Sequence, residues 1–481
     1  MPTQDAGHGP TAALTAYATR FTFADLPAAA AADAKMVVLD TLGALLLGSA
    51  PQYTASWLTG ELARRAGGTP ESTVIGRDFK APVESAALAN GTMGYAADIE
   101  GASVARQHVP AVLVPVALAV GEREHADGKA LLAALTVGYE ICSRAGEACR
   151  TEYSYPHSFH PSAVFGYFGA AATAAHLLRL DQPRFANALG IAGSNATGLM
   201  TWVDDPTENS RPLVIGMAAR GGVTAALLAQ MGFGGPPAIL DGGKYSIYDA
   251  YAGEMHLDRV TDGLGEALWI TQHYGYKRHP CCGDIHTGID ALLSILDDHR
   301  IGSDDIAAIV HRVKADRAPV IDNNPLKSHC AQYIMAVAAV RGKIESADIL
   351  EDRRADPRIK SLSNRVRLVG DAAMDPWPAH APAVVDVATR DGRTLTARVD
   401  DAKGRRDNPM TKAELEQKFM DLATTRISRS AATRLMELVF RLDRVADVGQ
   451  IAALLQVSGD AGAGLRREPK RPASPSLGGG R

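Results

Sequence analysis

Residues 89–122 read ANGTMGYAADIEGASVARQHVPAVLVPVALAVGE. The first half is rich in Gly, Ala and Ser and carries Asp98, Glu100 and His108 with no apolar stripe of its own, which marks a polar loop outside the core. His108-Val109-Pro110 then opens the apolar run Ala111 to Val120, long enough for a buried helix and short of the roughly 18 residues of a membrane span. A proton-handling loop meets a buried helix, and chemistry is expected at that junction.

Working outward, Ala, Leu and Gly dominate from about Thr11 to Ala252, with apolar residues at helical spacing. Helices are predicted over 28–47, behind an N-cap and early proline at Asp25-Leu26-Pro27, and over 128–149 and 163–180. The texture changes near Trp269. Ile306 to Lys314 and Arg365 to Val369 are short and β-branched, and the runs Ala383 to Thr389 and Thr394 to Val399 flank Arg390-Asp391-Gly392-Arg393, a hairpin signal. Helix returns after the capping box Thr411-Lys412-Ala413-Glu414. The order predicts a mainly α protein. Its large all-helical domain is built from both chain ends, 1–268 and 404–460, with a smaller α+β lid domain, 269–403, inserted between them. The tail 461–481, rich in Arg, Pro, Ser and Gly, is expected to be disordered.

A chain of 481 residues exceeds one ordinary core. Its 50 Lys and Arg against 54 Asp and Glu form no long block of one sign, which argues against a nucleic-acid partner. The N-terminus lacks a basic then apolar leader pattern, and no apolar run reads as long enough to span a bilayer, so no membrane association and a cytoplasmic location are expected. Five cysteines, an odd count with no C-x-x-C pair, suit a reducing compartment.

Five clusters could carry chemistry. A carboxylate beside an imidazole, as Asp98 and His108 would form, can bring its pKa into the neutral range. On spacing alone the plainer reading is a solvated Asp and a His108 that caps the next helix. Tyr153 to Ser162 holds His157 and His160 in a polar, proline-broken segment at the opening of the 163–180 helix. It reads equally as an anion site at a helix entrance or as an ordinary loop. Arg211, in TENSRP before another Ala/Gly-rich helix, could clamp a carboxylate, although a solvated ion pair is the commoner fate of an arginine. Tyr276 to His286 gathers Lys277, Cys281, Cys282 and His286. Adjacent cysteines without a second pair match a zinc site poorly; a thiol nucleophile is an alternative, and a turn leading into a helix over 285–296, with Lys277 and His286 facing a cleft, fits better. His329 and Tyr333, at i and i+4, would share a helix face, where a phenol could relay a proton or simply pack. No dinucleotide loop, P-loop or nucleophile elbow is present, so neither a cofactor nor a metal is expected.

Taken together, Val38-Leu39-Asp40-Thr41-Leu42-Gly43, Ala86 to Thr92, Asp98 with His108-Val109-Pro110, His160-Pro161-Ser162, Arg211-Pro212-Leu213, Lys277 to His286, Gln332-Tyr333 and Asn408-Pro409-Met410 resemble the MmgE/PrpD family, in order, from about Thr11 to Leu455. The resemblance implies a homodimer of helical domains with inserted lids, and a metal-free cleft between the two domains that handles small di- or tricarboxylates by general acid/base chemistry. By position, its site residues fall on Asp98, His108, His160, Arg211, Lys277, His286 and Tyr333.

Three departures bear on the substrate. Members that decarboxylate or dehydrate resemble D-F-D-D-T where this chain has Asp98-Ile99-Glu100-Gly101-Ala102. Arg211 replaces their lysine, and Val214 a histidine. Lost polar partners imply a substrate other than cis-aconitate or 2-methylcitrate. The expected activity is a lyase, dehydratase or decarboxylase. Arg211 and Lys277 would hold substrate carboxylates with His286 beside them, His108 would be oriented by Asp98 as base or acid, His160 would face it, and Tyr333 would deliver a proton. An epimerase using the same proton removal is the alternative, and a non-catalytic anion-binding relative the third reading.

Overall fold

Alanine and leucine at helical spacing make the first half of the chain a succession of helices. In the computed structural model, which describes residues 9–103, 107–149, 158–251, 255–272, 274–374 and 382–457, these are α1 (Pro10–Arg20), α2 (Ala28–Gly48), α3 (Thr54–Ala66), α4 (Val83–Ala96), α5 (Val109–Arg123), α6 (Gly128–Glu147), α7 (Pro161–Leu177), α8 (Gln182–Asn195) and α9 (Ser210–Gln230). Three short helices follow, α10 (Ile247–Tyr251), α11 (Asp258–Thr261) and α12 (Trp269–Gln272). The predicted Tyr153 to His157 part of the second cluster and the tail 461–481 lie outside the described residues. The N-cap of α2 is Pro27. Asp25 instead closes a 3-10 turn, where its side chain accepts from the Thr22 N–H and hydroxyl.

The stretch 89–122 is core and not an outlying loop. Residues 85–96 of α4 are buried throughout, as are Asp98 and Glu100 beyond it. Small residues bury a segment that has no apolar stripe by letting backbones approach. A Cβ on Gly216 of α9 would fall 2.2 Å from Thr92 Oγ1 and 2.5 Å from Leu88 O, and one on Gly94 3.0 Å from Ala111 O of α5. Helix α9 packs against α4, α7 and α8. Contrary to the sequence expectation, it is long and apolar enough to match a membrane span by length and composition. It carries Arg211 and Arg220, however, and more than half of its apolar window is covered by its neighbours.

The mixed segment forms its own core. A sheet of order β6-β5-β7-β8 is made by β5 (Ile306–Lys314), β6 (Val366–Asp371), β7 (Ala383–Thr389) and β8 (Thr394–Val399), with β6 parallel to β5 and the others antiparallel. The β7–β8 hairpin turns at Asp391-Gly392, where Gly392 takes φ +91°. Alternate residues of β7 are buried, and α13 (Gly283–Asp298) packs on β7 and β8. Around them lie α14 (Ala318–Ile321), α15 (Ala331–Arg341), α16 (Ser346–Leu350) and α17 (Pro357–Ser363). Helix α15 starts at Ala331 with Cys330 as N-cap. His329 therefore sits in the preceding 3-10 turn and does not share a helix face with Tyr333.

The chain then returns through α18 (Lys412–Ala423), capped by Thr411 and Glu414 as expected, to α19 (Arg429–Phe440) and α20 (Gly449–Leu454). Helices α18 and α19 pack on α2, so the first core combines residues from Leu14 to Ile270 with Phe419 to Leu455. A second core draws on residues from Cys281 to Val387. Ile270 packs in the first, beyond the boundary expected at 268. Among the described residues two further strand pairs are short: β1 (Ser72–Thr73) with β2 (Lys80–Ala81) lies within the first half, and β3 (Ala102–Ser103) with β4 (Tyr274–Gly275) links the 97–108 loop to the segment that enters the second core.

Candidate active site

The loop between α4 and α5 turns back at Asp98, which takes φ +52°, a left-handed conformation that Asp tolerates better than most residues. Its carboxylate is buried and pairs with Lys277, whose ammonium also donates to Asp98 O at 3.2 Å. Arg211, in the first turn of α9, lies 3.6 Å from the same Asp98 oxygen, donates to Tyr95 O and Ala96 O at 3.2 and 3.3 Å, and sits over the Tyr95 ring. From the second helical layer, Lys418 of α18 reaches Asp40 at 2.5 Å and Ile99 O at 2.8 Å, holding the loop from beneath.

The sequence reading paired Asp98 with His108. The structure pairs Glu100 with it: Glu100 Oε1 lies 2.7 Å from His108 Nδ1, a close contact without good hydrogen-bond alignment, and Lys277 Nζ is 3.7 Å from the same oxygen. Asp98 is instead occupied by two cations. His108 starts α5 without capping it through its side chain, and its N–H donates to Ser162 Oγ at 2.8 Å, tying the entrance of α5 to that of α7. His160 precedes α7, with its N–H on Gly198 O at 2.8 Å and its ring stacked 6.1 Å from His108. The Tyr95 ring flanks both imidazoles, and Trp202 stands edge-on to His160 and to His329. Five predicted residues, Asp98, His108, His160, Arg211 and Lys277, are thus brought together.

Two are placed differently. His286 lies one turn into α13, with Nε2 3.2 Å from Cys281 O and its ring edge-on to His279; it feels the charge of Lys277 but makes no contact with the Asp98–Glu100 pair. Tyr333 is a correction. Its hydroxyl donates to Asp348 O at 2.5 Å and accepts from Arg353 N–H at 3.2 Å, which fixes it inside the second core, and burial pushes its pKa up to about 12. It is not placed to deliver a proton to the cluster.

The electrostatics divide the two carboxylates. Burial disfavours the charged form of Asp98, but Lys277 and then Arg211 outweigh it and hold the group well below the usual carboxylate range. For Glu100 burial dominates, Lys277 only partly offsets it, and the carboxyl is pushed up to about 7. Burial and the charge of Lys277 hold His108 well below the ordinary imidazole range, and burial with the charge of His108 does the same to His160. Lys277 stays charged because Asp98 and Glu100 overcome its burial, and Arg211 because Asp98 does. Near neutrality it is therefore Glu100, and not His108, that takes up a proton under the pair of buried cations. His108, 14 % exposed where Glu100 is 0 %, is the member of this pair that reaches accessible space.

Sequence reasoning gave Glu100 too little weight and missed Tyr95, Ser162, Trp202 and Glu208. Glu208 lies 3.9 Å from Arg211 and accepts from Ser328, which in turn contacts His329. The local signals were an aromatic one turn before Asp98 and the hydroxyl of His160-Pro161-Ser162. A cavity of about 330 Å³ opens beside Arg211, lined by Tyr53, Ala96, Glu208 and Pro212 from the helical core and by Lys327 and Arg354 from the second. A second depression, of about 760 Å³, is lined by Arg278, Asp290 and Lys403 and by none of the clustered groups. Among the described residues, no group of three His, Cys, Asp or Glu side chains is arranged to hold a metal ion.

Residues 12–259 match the MmgE/PrpD N-terminal domain and residues 279–444 the MmgE/PrpD C-terminal domain. The chain is similar to the cis-aconitate decarboxylase of Homo sapiens, 27% identical over 88% of this chain and 89% of that one. It is also similar to the cis-aconitate decarboxylase of Aspergillus terreus, 24% identical over 94% and 96%. The 2-methylcitrate dehydratase of Cupriavidus necator is 26% identical over 61% of this chain and 60% of its own.

Proposed function

Because the chain belongs to the MmgE/PrpD family, we propose that it is a lyase, a decarboxylase or dehydratase of a small di- or tricarboxylate, working by general acid/base chemistry. The observation that carries the reading is the Glu100–His108 contact at 2.7 Å beside the buried charges of Lys277 and Arg211. With Glu100 ionised, the neutral imidazole of His108 can take a proton from carbon next to a carboxylate, the imidazolium being balanced by the Glu100 carboxylate, and can later return that proton to carbon. Cations already fixed in a dry site stabilise the enolate-like charge that results without reorganising. Relatives named as cis-aconitate decarboxylase and 2-methylcitrate dehydratase support a tricarboxylate-type substrate. Ala102 and Val214 offer no side-chain hydrogen bond, which favours an acid other than cis-aconitate itself.

A homodimer is part of the proposal. Leu213 and Met217 on α9 and Leu58 and Leu62 on α3 are exposed large apolar residues on helices that pack against each other.

The test is His108→Gln, assayed against a panel of small di- and tricarboxylic acids by proton NMR in deuterated water. Turnover should fall about 10²–10⁴-fold with an unchanged circular dichroism spectrum. Near-wild-type turnover would sink the assignment, and deuterium exchange without an unsaturated or decarboxylated product would replace the lyase by an epimerase. Lys277 is a poorer probe, because breaking a buried ion pair costs on the order of 3–5 kcal/mol of stability.

A further inference from the structure

The loop that returns the chain from β8 to α18 brings Arg405 against two site elements. A Cβ on Gly275 of β4 would lie 3.3 Å from Arg405 Cδ, and one on Gly283, the first residue of α13, 3.3 Å from its Nη2. The Arg405 stem therefore runs over the β3–β4 ribbon, where Ala102 pairs with Gly275. Its guanidinium ends beside α13, whose N-cap, Cys282, supplies no side-chain acceptor.

The backbone fixes this position. Tyr276 N–H donates to Gly404 O and Gly404 N–H to Asn408 O, both at 2.8 Å, and Asn408 N–H donates to Arg405 O at 3.1 Å. Gly404 takes φ +101°, and a Cβ there would fall 2.1 Å from Tyr276 O, so only glycine permits the loop to lie against the residue that precedes Lys277.

The charge of Arg405 is felt at the site: it is among the causes that hold both His108 and His286 below the ordinary imidazole range. The other two cations are matched, Lys277 by Asp98 and Glu100 and Arg211 by Asp98 and Glu208. Arg405, half-buried, has no carboxylate partner among the described residues. A rigidly mounted guanidinium at the start of α13, without a carboxylate partner among the described residues and near two cations that are already neutralised, is a fork available to an external carboxylate.

We infer that Arg405 binds a carboxylate of the substrate, the one remote from the carbon that reacts at His108. This rests on the polycarboxylate reading above and adds its third cationic contact.

The experiment measures binding of cis-aconitate and of maleate, used as charge probes, to the full chain by isothermal titration calorimetry, for the wild type, Arg405→Gln and Arg405→Lys. Arg405→Gln should weaken at least one of the two acids by about tenfold or more, equivalent to about 1.4 kcal/mol, with no change in the denaturation midpoint, because no partner within the protein is lost. Arg405→Lys should recover part of the affinity, as a point charge without the fork geometry. Affinities of Arg405→Gln within about twofold of wild type for both acids would overturn the assignment and leave the lyase reading standing. So would a loss of affinity that comes with a lowered denaturation midpoint and no recovery in Arg405→Lys. A wild-type protein that binds neither acid would overturn the polycarboxylate reading itself, and the inference with it.

Discussion

Glu100 is fully buried against His108, which is 14 % exposed. The raised pKa of Glu100 gives a signed pH dependence. The folded-state pKa of Glu100 is raised by burial from 4.5 to about 7, so between those values the folded chain binds the proton that the unfolded chain has lost. Its contribution to stability is present below about pH 4.5, declines as pH rises through 7, and is flat above. Asp98 has the opposite sign: it is depressed by its cations, stabilises above the ordinary carboxylate range and loses that contribution as pH falls through it. Glu100→Gln keeps the shape and cannot ionise. Its denaturation midpoint should gain on the wild type steadily between pH 4.5 and 7.5, and the acid limb of the pH–rate profile near 7 should vanish. Parallel midpoint curves for the two proteins would refute the raised pKa of Glu100.

The same pair shows where sequence reading stops. The loop 97–108 has no period, so nothing in the string says whether Asp98 or Glu100 faces His108. That is decided by a single left-handed residue, Asp98, which turns its own carboxylate toward Lys277 and Arg211, far along the chain. Tyr333 failed for a related reason. Its place on a helix was readable, but its hydroxyl is claimed by the carbonyl of Asp348 on a neighbouring turn.

At the scale of elements, what periodicity could mark was legible: the helices α2, α6 and α7, the β7–β8 hairpin and the capped start of α18 fall where their apolar spacing, turn residues and capping box put them. Helix α4 was not, because glycine and alanine write no amphipathic stripe. Its burial comes from backbone approach, visible only once α9 and α5 are beside it. This approach can be tested. Gly216→Val would place side-chain atoms where Thr92 Oγ1 and Leu88 O already stand, 2.2 and 2.5 Å from the first added carbon. Overpacking of this kind costs about 1–3 kcal/mol. Urea denaturation should show a midpoint lowered accordingly, and because α9 begins with Arg211, substrate affinity should fall as well. An unchanged midpoint would show that the two helices part without cost.

For the whole molecule, two cores meet at a site to which both contribute, with Asp98, Glu100, His108, His160 and Arg211 on the first and Lys277 and His329 on the segments that belong to the second. The cavity beside Arg211 is lined from both sides. The proposed dimer predicts that Leu213→Glu with Met217→Lys, placed on the exposed face of α9, halves the mass measured by light scattering at micromolar concentration without changing the circular dichroism spectrum. A wild-type protein that is already monomeric there would remove the dimer.

Lys418 holds the Ile99 carbonyl between the two carboxylates of the 97–108 loop, across 319 positions of sequence. During synthesis at about 5–20 residues per second, the loop at 97–108 therefore leaves the ribosome on the order of half a minute before the side chain that anchors it exists. Until then Asp40 and the Ile99 carbonyl wait without that ammonium. A nascent chain that stops short of α18 carries the 97–108 loop without the Lys418 contact to the Ile99 carbonyl. The last helices are thus needed to complete the support of a loop that is made near the start of synthesis.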